Sequence, residues 1–203
     1  ATQVMAGKSL TELGFVGEPQ IKYFAVKESV IPFSRFPGAT VGLGPEMLST
    51  GEVMGIDRTF GMAFLKAQSG AGSPIPFSGN VVLSVCDRDK EALMPLATRL
   101  SALGFSLYAT PGTFKALEEH GISSKHVAKI GALRPDLIDF VRNGEAAMII
   151  NTIDGSASAR DATVIRAEAL SRRITLLTTL AALCAAVEGL EARQKDKRSV
   201  APL

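Results

Sequence analysis

From residue 80 onward, short apolar runs alternate with stretches whose apolar positions recur at helical spacing. Asn80–Val85 is a continuous apolar run of strand length, and Lys90–Leu103 sets Leu93, Leu96, Ala97, Leu100 and Leu103 on one face of a helix. The pattern then predicts a strand over Phe105–Ala109, a helix over Thr113–Glu119 and a weak strand around Val127–Ile130. A helix over Pro135–Asn143 follows, with proline at its first position, where a missing N–H costs nothing. Ala147–Ile150, Ala159–Ser171, Ile174–Leu177 and Thr179–Leu190 continue as strand, helix, strand and helix. Strands that are apolar without alternation are buried on both faces, as in a parallel sheet covered by helices. The expected fold class is therefore α/β, a five-stranded parallel sheet flanked by helices over residues 77–192.

Residues 1–76 follow another pattern. Gln3–Leu13 reads as a helix, Tyr23–Val26 and Val30–Phe33 as strands, and a loop rich in Pro and Gly runs to Gly44. A second helix starts near Thr59, with Phe60, Ala63, Phe64 and Ala67 on one face. Gln68–Pro76 combines Gly, Ser and Pro, so neither helix nor ladder propagates, and the domain boundary is placed there. Two strands offer too few paired edges to close a sheet, so this partial α+β segment reads as the end of something larger. Beyond Glu191 the chain is rich in Lys and Arg and lacks apolar periodicity, and residues 193–203 are expected to be a disordered tail.

Composition narrows the function classes. At 46% hydrophobic residues, 21% charged residues and a net charge of +2, the 203-residue chain matches ordinary soluble domains and implies no nucleic-acid partner. Cys86 and Cys184 alone make neither a disulfide framework nor a metal cluster, which points to a reducing cytoplasm. No secretory leader pattern is visible. The longest apolar stretch, Ile174–Leu190, is broken by Thr175, Thr178, Thr179 and Glu188, short of the about 20 apolar residues of a membrane span. A start without Met that runs at once into a helical pattern suits a piece of a longer protein.

In an open parallel sheet the ligand crevice lies outside the carboxyl ends of the strands, where loops lead into helix N-termini. Three loops qualify: 86–90 (Cys-Asp-Arg-Asp-Lys), 110–113 (Thr-Pro-Gly-Thr) and 151–156, which begins Asn-Thr-Ile-Asp. Thr110 and Thr113 flank a glycine that admits a close ligand, and Lys90 and Lys129 supply positive charge. Together they suggest a phosphate pocket. The alternative readings are a threonine N-cap, a solvated lysine at Lys90 and a strand-end turn at Asn151. Neither a Walker-type loop nor a dinucleotide fingerprint is present. His120 and His126, neither close in sequence to a cysteine, read as structural or solvent-facing, and the carboxylates are scattered.

Particular residues add more. Val26-Lys27-Glu28, Pro32-Phe33, Phe36-Pro37-Gly38, Leu43-Gly44-Pro45-Glu46-Met47 and Ser49-Thr50-Gly51-Glu52-Val53-Met54-Gly55 closely resemble the end of the second ATP-grasp module in carbamoyl-phosphate synthase large subunits. Val4-Met5-Ala6-Gly7-Lys8-Ser9-Leu10 resembles the sequence just upstream in that family. Asp89-Lys90-Glu91, Gly104-Phe105, Ala109-Thr110, Gly112-Thr113, Asn143-Gly144-Glu145 and Ile149-Ile150-Asn151-Thr152 resemble its regulatory domain.

That resemblance implies a methylglyoxal-synthase-like domain that receives UMP as inhibitor and IMP as activator. It implies that Lys90, Thr110, Thr113, Lys129, Asn151 and Thr152 contact the effector phosphate and that Asp161 lies near the ribose or base. Ile153 departs from the pattern, which commonly has a threonine there, and this bears on effector choice. The resemblance also implies a partial ornithine site at Glu28 and Thr178. The parent would be an ATP-dependent carbon–nitrogen ligase using ATP and Mg2+, partnered by upstream ATP-grasp modules, a glutaminase small subunit and further copies of itself. Its product, carbamoyl phosphate, made from bicarbonate and glutamine-derived ammonia, feeds arginine and pyrimidine synthesis. No catalytic or metal residue and no cofactor is expected within this chain. Two other readings stand beside this one. A structural oligomerisation domain would need no ligand, and a free-standing lyase of the methylglyoxal-synthase type would use Asp136 as base but meets Arg160 where a histidine would be expected.

Overall fold

The computed structural model describes residues 2–17, 20–30, 51–154 and 159–195. The first element, α1 (Thr2–Met5), is much shorter than the expected Gln3–Leu13 helix. Gly7, at φ +95°, takes the left-handed conformation that ends helices, and the Lys8 N–H closes back on the Gln3 carbonyl at 3.1 Å. Strand β1 (Phe24–Val30) pairs antiparallel with β2 (Gly51–Asp57), from Phe24 opposite Asp57 to Val30 opposite Gly51. Phe24–Val26 of the expected Tyr23–Val26 strand fall within β1, whereas Tyr23 precedes it. Val30 closes β1, and residues 31–33 of the second expected strand, like the motif residues up to Thr50, lie outside the described residues. Strand β2 was not anticipated, because its inward position 55 is a glycine and so carries no apolar signal.

Helix α2 (Phe60–Gly70) starts where expected, with Thr59 accepting from the Met62 N–H at 3.4 Å. It buries Met62, Ala63, Phe64, Leu65 and Ala67, more than one stripe, because it packs against β1 and β2 and also against the last helix. The expected Gln68–Pro76 linker is partly ordered: α2 continues through Gly70, Ile75 is buried, and the Thr175 hydroxyl donates to the Pro74 carbonyl at 2.8 Å.

The second sheet is parallel and five-stranded, in the order β5-β4-β3-β6-β7. Its strands are β3 (Asn80–Ser84), β4 (Ser106–Ala109), β5 (Lys125–His126), β6 (Ala146–Asn151) and β7 (Thr175–Leu177). The helices are α3 (Lys90–Ala102), α4 (Pro111–Glu119), α5 (Leu137–Arg142), α6 (Ala159–Ser171) and α7 (Leu180–Lys195). Alternate strand residues face opposite layers. Val81, Leu83, Met148 and Ile150 join α2, α3 and α7, whereas Val82 and Ile149 join α5 and α6. The two sheets are separate, yet Met62, Phe64 and Leu65 of α2 belong to the same core as Val81, Leu83, Leu183 and Val187.

Three expected boundaries move. The weak strand forms at Lys125–His126 rather than Val127–Ile130, because its partner β4 ends at Ala109 and leaves only the Val127 N–H to Ala109 carbonyl bond beyond it, at 2.9 Å. Pro135 is not the first residue of a helix. α5 begins at Leu137, because the Asp136 carboxylate caps Ile138 and Asp139 at 2.9 and 3.1 Å while Asp139 reaches back to the Asp136 N–H at 3.1 Å. Finally, α7 extends through Lys195, so residues 193–195 of the expected tail are helical. The Arg99 guanidinium grips Glu191 at 2.7 and 2.9 Å, and that of Arg193 lies 3.2 Å from the Phe77 ring centroid. Residues 196–203 lie outside the described residues. Among the described residues no helix is long and apolar enough to cross a membrane.

Candidate functional site

In the strand order, β3 lies between β4, which follows it in sequence, and β6, which the chain reaches only after returning from the sheet edge. Connections leaving β3 and β6 in opposite directions open a crevice at their carboxyl ends. A cavity of about 360 Å3 occupies this edge, and Lys90, Thr110, Thr113, Lys129, Asn151, Thr152 and Asp161 all line it. Residues as far apart in sequence as Lys90 and Asp161 are thus brought to one sheet edge.

One end of the cavity suits an anion. Thr110 holds the N-cap position of α4, but its side chain makes no capping bond; its hydroxyl donates to Ser84 Oγ at 3.4 Å instead. Pro111 has no N–H, so the amides of Gly112 and Thr113 precede the first helical bond, from Phe114 N–H to the Thr110 carbonyl at 2.8 Å. Lys90 Nζ stands 3.1 Å from where a Cβ on Gly112 would be, so its ammonium covers this turn. Thr113 is buried, and its hydroxyl is already engaged with the Val85 backbone, accepting from the N–H at 3.3 Å. It therefore offers the cavity its amide rather than its hydroxyl.

The opposite wall comes from β6. Asn151 is 5% exposed; its Nδ2 donates to the Ser84 carbonyl at 3.2 Å, and its Oδ1 is buried with no hydrogen-bond partner. A buried acceptor without a donor costs roughly 1–3 kcal/mol, which a ligand donor or bound water would relieve. The Thr152 hydroxyl accepts from the Cys86 N–H at 3.1 Å, tying β6 to the loop after β3. Thr152 and Cys86 together hold the Asp89 carboxyl below the usual carboxylate range. Ile130, Leu137, Ile153, Ala162 and Ile165 supply an apolar side.

Charge in the lining is mixed. Lys90 and Lys129 face Asp87, Asp154 and Asp161, and two of these carboxylates are paired, Asp87 with Lys90 at 2.7 Å and Asp154 with Arg88 at 3.8 Å. Asp87 lies in the 86–90 loop but is absent from the expected set of site residues; its signal is its place three residues before Lys90 in a turn that leads into a helix.

Other candidates lie elsewhere. Glu28, on β1, accepts from Gln68 Nε2 at 3.0 Å, and Thr178 is exposed just after β7; neither lines the cavity. Asp136 is 3% exposed and its carboxylate is consumed by the N–H groups of Gly131, Ile138 and Asp139, which hold it below the usual range. It is a structural cap placed outside the cavity lining, and a base for lyase chemistry is not available there. His120 Nδ1 lies 2.9 Å from the Ala116 carbonyl, and the His126 ring meets Phe114 edge-on at 5.8 Å. Among the described residues no group of His, Cys, Asp and Glu is placed to hold a metal ion.

Comparison with known proteins adds to this geometry. The sequence profile of the MGS-like domain matches residues 92–178. The chain is 49% identical over 194 residues to the carbamoyl phosphate synthase large chain of Pasteurella multocida, covering 94% of this chain and 18% of the relative. Identity to the large chain of Synechocystis sp. is 47% over 204 residues, and to that of Methanoculleus marisnigri 43% over 203 residues, each covering 100% of this chain and 19% of the relative. The chain thus spans about a fifth of the length of the curated relatives it matches.

Proposed function

With residues 92–178 forming an MGS-like domain, and with 43–49% identity to about a fifth of carbamoyl phosphate synthase large chains, we propose that this chain is the C-terminal, effector-binding portion of such an enzyme. The observation that carries the reading is the convergence, in one cavity, of the uncapped α4 N-terminus, Lys90, Lys129 and the unpartnered Asn151 Oδ1. A helix N-terminus and two ammonium groups suit a phosphate. An orphan acceptor suits a ligand that also brings a donor, and the apolar side suits a base. A nucleoside monophosphate such as UMP or IMP has all three parts.

The chemistry of the parent, ATP-dependent synthesis of carbamoyl phosphate from bicarbonate and glutamine-derived ammonia, is located by this reading in modules outside the chain. Ligand binding here biases a conformational equilibrium shared with those modules, by no more than its differential affinity for the two states. The parent is placed in the cytoplasm, and ornithine near Glu28 and Thr178 remains part of the proposal.

Thermal-shift measurements with UMP, IMP and ornithine test the reading, since a ligand that binds only the folded state raises the melting temperature. A rise with UMP or IMP is expected. A flat response to both nucleotides, confirmed by calorimetric titration, would overturn the nucleotide assignment and leave the oligomerisation role as the surviving alternative.

A further inference from the structure

The Lys90 ammonium that an incoming phosphate would use is already held. Asp87 opens a tight 3-10 turn, Asp87–Asp89, directly after the loop that leaves β3, and its Oδ1 lies 2.7 Å from Lys90 Nζ. The Lys90 side chain is only 21% exposed and packs over the first turn of α4, so its ammonium is aimed rather than freely sweeping solvent. Asp87, by contrast, has a side chain that is 93% exposed and lies at the cavity lip. Its carboxyl is held below the usual range, first by the hydrogen bond from Lys90 and then, more weakly, by the charge of Lys129. Both lysines of the cavity therefore act on one exposed carboxylate.

We infer that Asp87 is an internal competitor for the anion of this site, a carboxylate latch on Lys90 that a ligand phosphate must displace. The inference rests on the reading of the cavity as a phosphate site. An exposed ion pair is weak and its side chain can swing out into water at little cost. A phosphate dianion that engages Lys90, Lys129 and the free amides of Gly112 and Thr113 displaces it, whereas a monoanion that reaches only Lys90 does not. Asp87 thus lowers the affinity for every anion and rejects the weakly held ones, which makes it a specificity-determining residue rather than a contact.

The test is calorimetric titration of UMP and IMP at low ionic strength, where exposed charges are least screened, into the unmodified chain and Asp87→Asn, Asp87→Glu, Lys90→Ala and Asp87→Asn/Lys90→Ala variants. Asp87→Asn is expected to bind the nucleotide about two- to fivefold more tightly, the range set by an exposed ion pair. Asp87→Glu should stay close to the unmodified chain, and the gain should vanish in the Lys90→Ala background. Equal or weaker binding by Asp87→Asn, with the unmodified chain still binding, would overturn the latch and leave the phosphate site intact. A gain that persists without Lys90 would also overturn it, because general repulsion would then be the cause. If neither the unmodified chain nor Asp87→Asn binds, the phosphate site itself falls, and the latch with it.

Discussion

Lys129 and Thr113 show how differently two residues of one cavity contribute. Lys129 is exposed and its charge reaches Asp87, so removing it takes a charge from the cavity and little from the core. Lys129→Ala should weaken nucleoside monophosphate binding by about tenfold, the lower end for a charge-assisted contact at an exposed site, with the melting temperature hardly changed. Lys27→Ala, whose lysine pairs with Glu52 on the two-stranded sheet, is the control and should bind as the unmodified chain does. Equal affinities for all three proteins in calorimetry would show that the phosphate is held elsewhere. Thr113, in contrast, is both wall and strut, because its hydroxyl satisfies the Val85 backbone. The sequence supplied the residue type at both positions but not the partner, since a hydroxyl bonds whichever backbone group the fold brings within reach.

At the scale of elements, the crossing of α2 with α7 joins the first segment to the larger domain. Gly61 and Gly189 face each other there, and a Cβ at Gly189 would stand 2.5 Å from the Gly61 carbonyl oxygen and 2.6 Å from Leu65 Cγ. In an open helix, replacing glycine by alanine stabilises by up to about 1 kcal/mol. Here the obstruction is backbone, which cannot rotate away, and overpacking costs about 1–3 kcal/mol. Gly189→Ala should therefore lower the stability measured by urea unfolding, and a stabilised variant would show that the helices separate freely. Periodicity had found both helices, but the glycines that set their approach are silent in an apolar pattern. The same silence hid β2, whose buried position is Gly55.

At the scale of the molecule, acid should weaken the fold for an identifiable reason. Arg142, and then Arg172, holds the Glu168 carboxyl below the ordinary glutamate value of 4.5, and Arg99 does the same for Glu191. A depressed folded-state value means that these groups stabilise the fold above 4.5 and lose that contribution as pH falls through their lower folded values. Thermal melts should thus begin to drop below this point, and Glu168→Gln should have a shallower acid limb. An unchanged limb would place the loss in other carboxylates. A second whole-molecule expectation follows from the proposed function: the purified chain should show no Mg2+-dependent ATP hydrolysis, and hydrolysis that persists through purification in proportion to the chain would show that ATP chemistry resides here.

Burial on both faces of the strand is written into the centres of β3 and β6, because a run such as Val81-Val82-Leu83 has no polar position to turn toward water. That alone determined a parallel sheet with helical layers, and the position of its crevice followed from the chain direction in such a sheet. The loops bearing Lys90, Thr110, Asn151 and Thr152 are therefore legible as one edge in the sequence alone. What the sequence could not contain is pairing. That Asp87 rather than solvent holds Lys90, that Ser84 draws the Thr110 hydroxyl away from capping, that Asn151 Oδ1 is left without a donor, and that Glu191 continues α7 by gripping Arg99 all depend on distances across the chain. Hydrophobic pattern is a local property, carried by each residue's preference for water or core. A hydrogen bond or ion pair requires two groups to meet within about 3–4 Å, and only the packed tertiary structure decides which groups meet.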